Sequence, residues 1–383
     1  MTLPIRSKLI KIAASLNLTV ACLIVLMILV FAATLSQINL GIYFAKKTFF
    51  QTLWVYWEPQ PHMKIPVFPG GLLVGWVLFV NLIVAHVTRF KWTFQKTGIW
   101  LTHVGLILLI AGSGLSSYLA KESQMAIQIG ETKNYTTSAQ EFELAIISEA
   151  SPTTQQVISI PQSSINSHVK ITPPSLPFTL VIKDFFSNSK LSMNKEGSSI
   201  ATQGIGPQIA VDELPLDKHE GGVNTRTAYV EIFEGTHSKG IWLLSTGLGA
   251  PQTVVIGSKI YTLWLRPKRV YLPYTVTLLK FSHDVYPGTT IPKNFSSHVR
   301  VVNPVQKETR DFLIYMNNPL RYQGQTFYQA SFGGNDTLSV LQVVQNPSWL
   351  VPYISCSMIF LGLLIHFMTM VVQRTQRKPH AHP

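Results

Sequence analysis

Charged residues are scarce in this sequence. Only 13% of its 383 residues are charged and 46% are hydrophobic, whereas soluble domains average about 25% charged residues. This shortage argues against an ordinary soluble domain and predicts a membrane protein. The net charge of +13 does not indicate nucleic-acid binding, because the polar stretch of residues 118–348 carries 19 basic and 17 acidic residues. The excess positive charge therefore belongs to the apolar remainder of the chain.

Cysteine is almost absent. The two cysteines, Cys22 and Cys356, fall in separate apolar runs, at depths that we expect to differ too much for a disulfide. No CxxC motif occurs, which excludes dithiol exchange through such a motif and covalent haem attachment to this chain. The polar stretch contains no cysteine, so we expect it to be stabilised without disulfides.

Four apolar runs are long enough to cross about 30 Å of hydrocarbon. They cover residues 13–35, 70–88, 98–117 and 349–372. We therefore predict an N-terminal membrane region (1–117) with three spans, an extracytoplasmic domain (118–348), and a fourth span with a short tail (349–383). The first run exceeds the length of a signal-peptide core, so we expect a retained span rather than a cleaved leader.

Basic residues flank these runs asymmetrically. Nine lysines and arginines lie in the segments 6–11, 89–96 and 374–378, and no acidic residue accompanies them. The positive-inside rule then places both termini and the 89–97 loop in the cytoplasm or its topological equivalent, and the large domain on the other side. Lys46, Lys47 and Lys64 lie on the predicted outer side and argue mildly against this orientation.

The large domain has the alternating pattern of β-strands. Strands are predicted at 179–185, 228–233, 252–265, 274–281, 298–302, 311–316, 325–332 and 338–344. The polar, Gly-rich residues 187–225 are predicted to form a long loop. Residues 176–185 resemble residues 272–281, which suggests two similar units in a sandwich-like body; chance similarity between strands is an equal rival.

One histidine stands inside the third apolar run. Burying an imidazole in hydrocarbon is costly, so His103 is a candidate functional residue. Two interpretations remain open: an axial ligand of haem iron, or a side chain hydrogen-bonded to a neighbouring helix. His86 and His366 lie near the same membrane surface, and for both we favour a non-ligand role, interfacial and dipole-stabilised respectively. Haem propionates need cations, and three lie near that end of the spans: Arg89, Lys91 and Lys96.

Blocks outside the spans resemble a known family. They are residues 272–281 (LPYTVTLLKF), 286–288 (YPG), 295–301 (FSSHVRV) and 316–331 (MNNPLRYQGQTFYQAS). Together with residues 98–112, they resemble the ResB/CcsB family of System II cytochrome c maturation. The resemblance implies four transmembrane helices and a large extracytoplasmic β-rich domain. The partner subunits of this family, of the CcsA/ResC type, carry a Trp-rich segment. No such segment occurs in this sequence, so the chain resembles the ResB-like subunit rather than a fusion of the two subunits.

The resemblance also implies a function. ResB-like and CcsA/ResC-type subunits together carry haem b across the membrane and present it to the CxxCH thiols of apocytochrome c, with a thiol-reducing system as a further partner. In the family the histidine that matches His103 is regarded as a haem ligand, the opposite ligand being expected on the partner. The host membrane would be a bacterial inner membrane or a thylakoid. We expect a non-catalytic subunit of a holocytochrome c synthetase complex. The alternative is a membrane-anchored scaffold that holds a partner or apocytochrome without ligating haem.

Overall fold

The computed structural model describes residues 3–60, 63–89, 93–151, 154–193, 199–217, 224–289 and 291–376. The chain divides into two compact units. A helical unit contains residues 1–120 and 346–383, and a β unit contains residues 121–217 and 222–345.

The described residues of the helical unit form five α-helices and one β-hairpin. They are α1 (Leu3–Ala13), α2 (Leu16–Phe49), β1 (Trp54–Gln60), β2 (Met63–Pro69), α3 (Gly71–Arg89), α4 (Thr97–Leu119) and α5 (Val351–Gln376). Among the described residues, α2, α3, α4 with its preceding turn, and α5 are long and apolar enough to span a membrane. The four predicted apolar helices are thus confirmed, and both cysteines are free.

The first span differs from its prediction. We expected residues 13–35, but α2 continues to Phe49 and contains a non-helical residue, Gly41, at φ 66° and ψ 165°. A separate basic helix, α1, precedes it and ends at Ala13. The sequence pattern missed this break because Ala14 and Ser15 do not interrupt the apolar run.

Helices α4 and α5 approach closely along a row of glycines spaced seven residues apart. A Cβ atom on Gly98 would lie 2.5 Å from the His366 backbone nitrogen, and one on Gly105 would lie 2.8 Å from Cγ1 of Ile359. A Cβ on Gly112 would collide with Val351. Small residues allow such close backbone contact between membrane helices, so this row fixes how the two spans pack.

The β unit is built from sixteen strands. They are β3 (Lys121–Gln128), β4 (Thr132–Ser151), β5 (Thr154–Pro161), β6 (Lys170–Ile171), β7 (Thr179–Phe186), β8 (Ser189–Met193), β9 (Ile209–Glu213), β10 (Thr227–Glu234), β11 (His237–Ser245), β12 (Gln252–Ile256), β13 (Lys259–Val285), β14 (Pro292–Asn303), β15 (Glu308–Tyr315), β16 (Leu320–Tyr322), β17 (Gln325–Gly333) and β18 (Leu338–Gln345). The predicted β-rich domain is confirmed.

These strands form three sheets. One has the order β11-β10-β7-β6, and β8 pairs with β9. The ten-stranded sheet runs β15-β14-β13-β4-β3-β18-β17-β16, with β12 beside β13 and β5 beside β4. The β8–β9 pair corrects our prediction of a long loop at 187–225: Leu191 and Val211 pack against a small core that the polar composition of this segment concealed.

The β unit contains two main hydrophobic cores. The first gathers Leu180, Val230 and Leu263, and the second gathers Val276 and Phe327 with their neighbours. The long strand β13 contributes to both cores. The two segments with similar sequences lie one in each core, residues 179–185 on β7 and residues 274–281 on β13.

Candidate functional site

Two histidines on adjacent membrane helices lie side by side. His86 is on the last turn of α3, and His103 is on the second turn of α4. Their ring centroids are 5.9 Å apart and their planes differ by 26°. Trp100 contributes a third ring, 6.2 Å from His86. His86, Trp100 and His103 thus form a cluster of three rings where the end of α3 meets the start of α4.

A hydrogen bond determines the chemical form of His103. Its Nδ1 lies 2.8 Å from the carbonyl oxygen of Ile99, one helical turn earlier. A carbonyl only accepts hydrogen bonds, so Nδ1 carries the proton and, in the neutral ring, Nε2 carries the lone pair. Metal-binding histidines commonly donate their other ring N–H in this manner, which fixes the tautomer. In the neutral ring, the lone pair of His103 is therefore on Nε2.

Both histidines line a cleft of about 280 Å³. Its walls come from the α1–α2 junction, α3 and α4: Ala14, Leu16, Thr19, Asn81, Leu82, Ala85, His86, Arg89 and His103. The lining is mainly apolar, includes the basic residue Arg89 and contains no acidic residue. This chemistry suits a flat apolar ligand that also carries a negative charge.

A buried amide holds one wall of the cleft in place. Asn81 is 2% exposed. Its Nδ2 donates to the carbonyl oxygens of Ala13 at 2.7 Å and Ser15 at 3.1 Å, and its Oδ1 accepts from the Thr19 hydroxyl at 2.6 Å. The bond to Ala13 satisfies a backbone carbonyl at the C-terminal end of α1, and the bond to Ser15 reaches the N-cap of α2. The junction of α1 and α2 is thereby tied to α3.

The residues predicted for haem binding are only partly brought together. His86, Arg89 and His103 line one cleft. Lys96 is exposed and is not among the lining residues. His366 does not line the cleft either; its ring lies 5.7 Å from that of Phe367 on α5. Lys91 lies outside the described residues.

The groups that line the cleft are of the kinds that haem needs, but the volume of the cleft is small for haem. A neutral imidazole, apolar walls and a cation are the groups that haem iron, macrocycle and propionates require. Pockets for drug-sized ligands, however, measure about 300–1,000 Å³, so a cleft of about 280 Å³ has room for only part of a macrocycle. A complete site needs walls from another polypeptide or a movement of α1.

Sequence reasoning did not single out Asn81 or Thr19. The signal was present, since Asn81 is a polar amide within the apolar residues 70–88, and polar groups inside membrane segments are expensive and often functional. Its partners were not predictable, because the position of the Ala13 and Ser15 carbonyls depends on the break between α1 and α2.

Comparison with known proteins supports the predicted family. The model of the ResB-like family matches residues 229–340. Protein NrfI of Wolinella succinogenes is 26% identical over 294 residues, which cover 75% of this chain. The predicted resemblance to the ResB family is confirmed.

The two matches differ in the length of chain that they cover. The family model lies within the β unit, between β10 and β18, and does not reach the histidine cleft. The NrfI alignment extends further, yet this chain spans only 29% of the length of NrfI. The comparisons thus show a similarity to the ResB-like family that is carried by the β unit.

Proposed function

We propose that this ResB-like chain acts in cytochrome c biogenesis as a membrane subunit that binds haem through His103. The observation that carries the proposal is the bond from His103 Nδ1 to the Ile99 carbonyl, because it leaves Nε2 as a ligand within a cleft that also contains Arg89. Haem is the cargo here. The chain binds it, orients its charged edge toward Arg89 and keeps water from one face.

The proposed orientation follows from charge. The basic helix α1 and the C-terminal end of α5 lie on the cytoplasmic side, so the histidine cleft is near that surface, and the β unit faces the opposite compartment. Haem would enter the complex at the cytoplasmic side. The thioether bonds would form outside, on the thiols of the apocytochrome.

A second membrane subunit of the CcsA/ResC type completes the proposed site. The cleft is too small for a whole macrocycle, and iron held by one imidazole retains an open axial position. A ligand from the partner would close that position and hinder attack by oxygen. This chain supplies binding and positioning and no covalent catalytic residue, so deletion of the partner should abolish maturation.

The deciding experiment compares His103→Ala with His366→Ala. Each variant is purified with the partner subunit from membranes, and its Soret absorbance is measured per protein. We expect His103→Ala to lose the Soret band and to regain it with added imidazole. His366→Ala, on a helix that does not line the cleft, should retain the band.

Two results would overturn the ligand assignment. One is an intact assembly that never contains haem; the other is a Soret band that survives His103→Ala with unchanged position and intensity. If cytochrome maturation continued in either case, the chain would be the membrane-anchored scaffold, which holds its partner without touching haem.

A further inference from the structure

An aromatic and basic surface lies at the end of the helical unit opposite the histidine cleft. It consists of the last segment of α2, residues 42–49, and the hairpin of β1 and β2, and we call it the collar. Its exposed side chains include Ile42, Tyr43, Trp54, Tyr56, Trp57, Met63 and Val67. Exposed apolar patches of this kind mark contacts with a membrane or another protein.

The collar begins where α2 has already crossed the membrane. Residues 16–40 extend about 37 Å at 1.5 Å per residue, more than the roughly 30 Å hydrocarbon core. The non-helical Gly41 then separates residues 42–49 from this span. The helix before the break is thus long enough to cross the hydrocarbon by itself. Residues 42–49, which include Lys46 and Lys47, therefore lie beyond the hydrocarbon.

The hairpin is held against the ends of two spans. Val55 and Phe68 pack with Phe49 and Phe50 in one apolar cluster. The Gly70 backbone N–H donates to the Leu53 carbonyl at 2.8 Å, next to the start of α3. An isolated two-stranded hairpin is marginally stable in water, so this packing fixes its position close to the membrane surface.

We propose that the collar lies flat in the outer headgroup layer and binds the lipid surface. Trp and Tyr are enriched at that layer, which is only about 6 Å thick on each side. A hairpin standing upright would carry Trp57 about 10 Å beyond Trp54, out of the layer and into water. Lying flat keeps all three exposed aromatic rings of β1 at the interface.

Charge supports a lipid partner. Lys46 and Lys47 are exposed in the last turn of α2, and the Lys47 ammonium lies 5.9 Å from the Tyr43 ring. Lysines near a helix end extend to phosphate groups while their stems cover apolar surface. This role accounts for outer-side lysines that run against the positive-inside rule, and it does not depend on the haem proposal.

Spin labels at matched positions test the placement. In a Cys22→Ala/Cys356→Ser background, single cysteines replace Trp57, Val67, Val255 and Phe360, whose side chains are 60%, 60%, 59% and 66% exposed. The full chain is placed in nanodiscs of phosphatidylcholine with phosphatidylglycerol. Accessibility to oxygen and to a water-soluble nickel chelate is then measured. Val255 reports water and Phe360 reports hydrocarbon.

We expect labels at Trp57 and Val67 to give oxygen-to-nickel ratios between those of the two reference sites. Where phosphatidylglycerol raises the oxygen-to-nickel ratio of these labels, the double substitution Lys46→Gln/Lys47→Gln should remove that rise. Ratios equal to that of Val255 would overturn the proposal in favour of a water-exposed hairpin. Ratios equal to that of Phe360 would overturn the interfacial depth, and low accessibility to both reagents would show that protein covers the collar.

A second measurement needs no label. Bromolipids in the nanodisc should quench tryptophan fluorescence, and Trp54→Phe/Trp57→Phe should lower the quenched fraction. Trp242→Phe, in the β unit, should leave the quenched signal unchanged. If the collar variant behaved like the Trp242 control, the collar would not contact lipid.

Discussion

The hydrogen bonds of Asn81 make a prediction whose size follows from the structure. Replacing Asn81 with Leu keeps the branching and the number of heavy atoms of the side chain and removes three hydrogen bonds that join α3 to the α1–α2 junction. Hydrogen bonds in membrane proteins contribute about 0.6 kcal/mol each on average. The expected cost is therefore about 2 kcal/mol, or about a 30-fold increase in the population of an opened junction.

Hydrogen exchange of the full chain in nanodiscs measures this opening directly. Amides near the junction, around Ala14 and Thr19, should exchange about 30-fold faster in Asn81→Leu. Thr88→Val is the matched control, because the Thr88 hydroxyl bonds only to the Val84 carbonyl of its own helix. Unchanged exchange at the junction, or equal acceleration in both variants, would refute the assignment of Asn81 as the residue that holds the cleft wall.

Three further predictions concern stability. Arg266→Met should cost about 3–5 kcal/mol, because it leaves the carboxylate of Glu143, 3% exposed and 2.9 Å from Arg266 Nε, buried without its cation; adding Glu143→Leu should recover most of this in urea unfolding, and a purely additive double variant would contradict it. Gly105→Leu should separate α4 from α5, since a Cβ there already lies 2.8 Å from Ile359; a lower Tm in nanodiscs checks this, and an unchanged Tm would count against close packing. A hydrogen bond from Lys183 on β7 lowers the pKa of Glu231, so its stabilising contribution is complete above the unfolded-state pKa and is lost as pH falls through the lower folded-state pKa; the protection factors of the β10 amides, which are corrected for the intrinsic pH dependence of exchange, should fall in acid, and Glu231→Gln should weaken that dependence.

The element types were largely predictable from sequence. Apolar length predicted the four spans, and period-two alternation predicted four strands to within one residue at each end, those at 179–185, 228–233, 325–332 and 338–344. The predicted strand 298–302 covers only part of β14. The failures have physical causes. Residues 252–265 were predicted as one strand, but Gly257, at φ 59°, makes the turn between β12 and β13.

Strand β13 shows the opposite error. Its 27 residues were predicted as separate strands because Pro267 and Pro273 fall between the alternating runs. Proline in a sheet is confined to edges and bulges. The register of β13 against β4 shifts between Pro267 and Arg269, and again between Tyr271 and Val276, so irregular pairing accommodates the two prolines. Pairing irregularities of this kind depend on the neighbouring strand and are not visible in the local pattern.

The sequence predicted one residue of the candidate site, His103, but not the cleft around it. His103 was visible as an ionisable residue in an apolar run, whereas the cleft around it depends on the break between α1 and α2. His86 was predicted as an interfacial side chain, and its proximity to His103 could be inferred because the two flank a short loop. The distance between the two rings depends on how α3 packs against α4, and the tautomer of His103 depends on its bond to the Ile99 carbonyl. Neither could be predicted from the sequence.

The family match and the histidine cleft are independent pieces of evidence, because the matched residues 229–340 belong to the β unit and the cleft belongs to the helical unit. A variant that removes His103 leaves every matched residue intact, and one that disrupts the β unit leaves the cleft residues intact. If only the His103 variant lowers haem content and both variants lower cytochrome maturation, haem binding belongs to the helical unit and a later step requires the β unit. If only the variant that disrupts the β unit lowers haem content, the iron ligand lies in the β unit, and the cleft is a feature of helix packing.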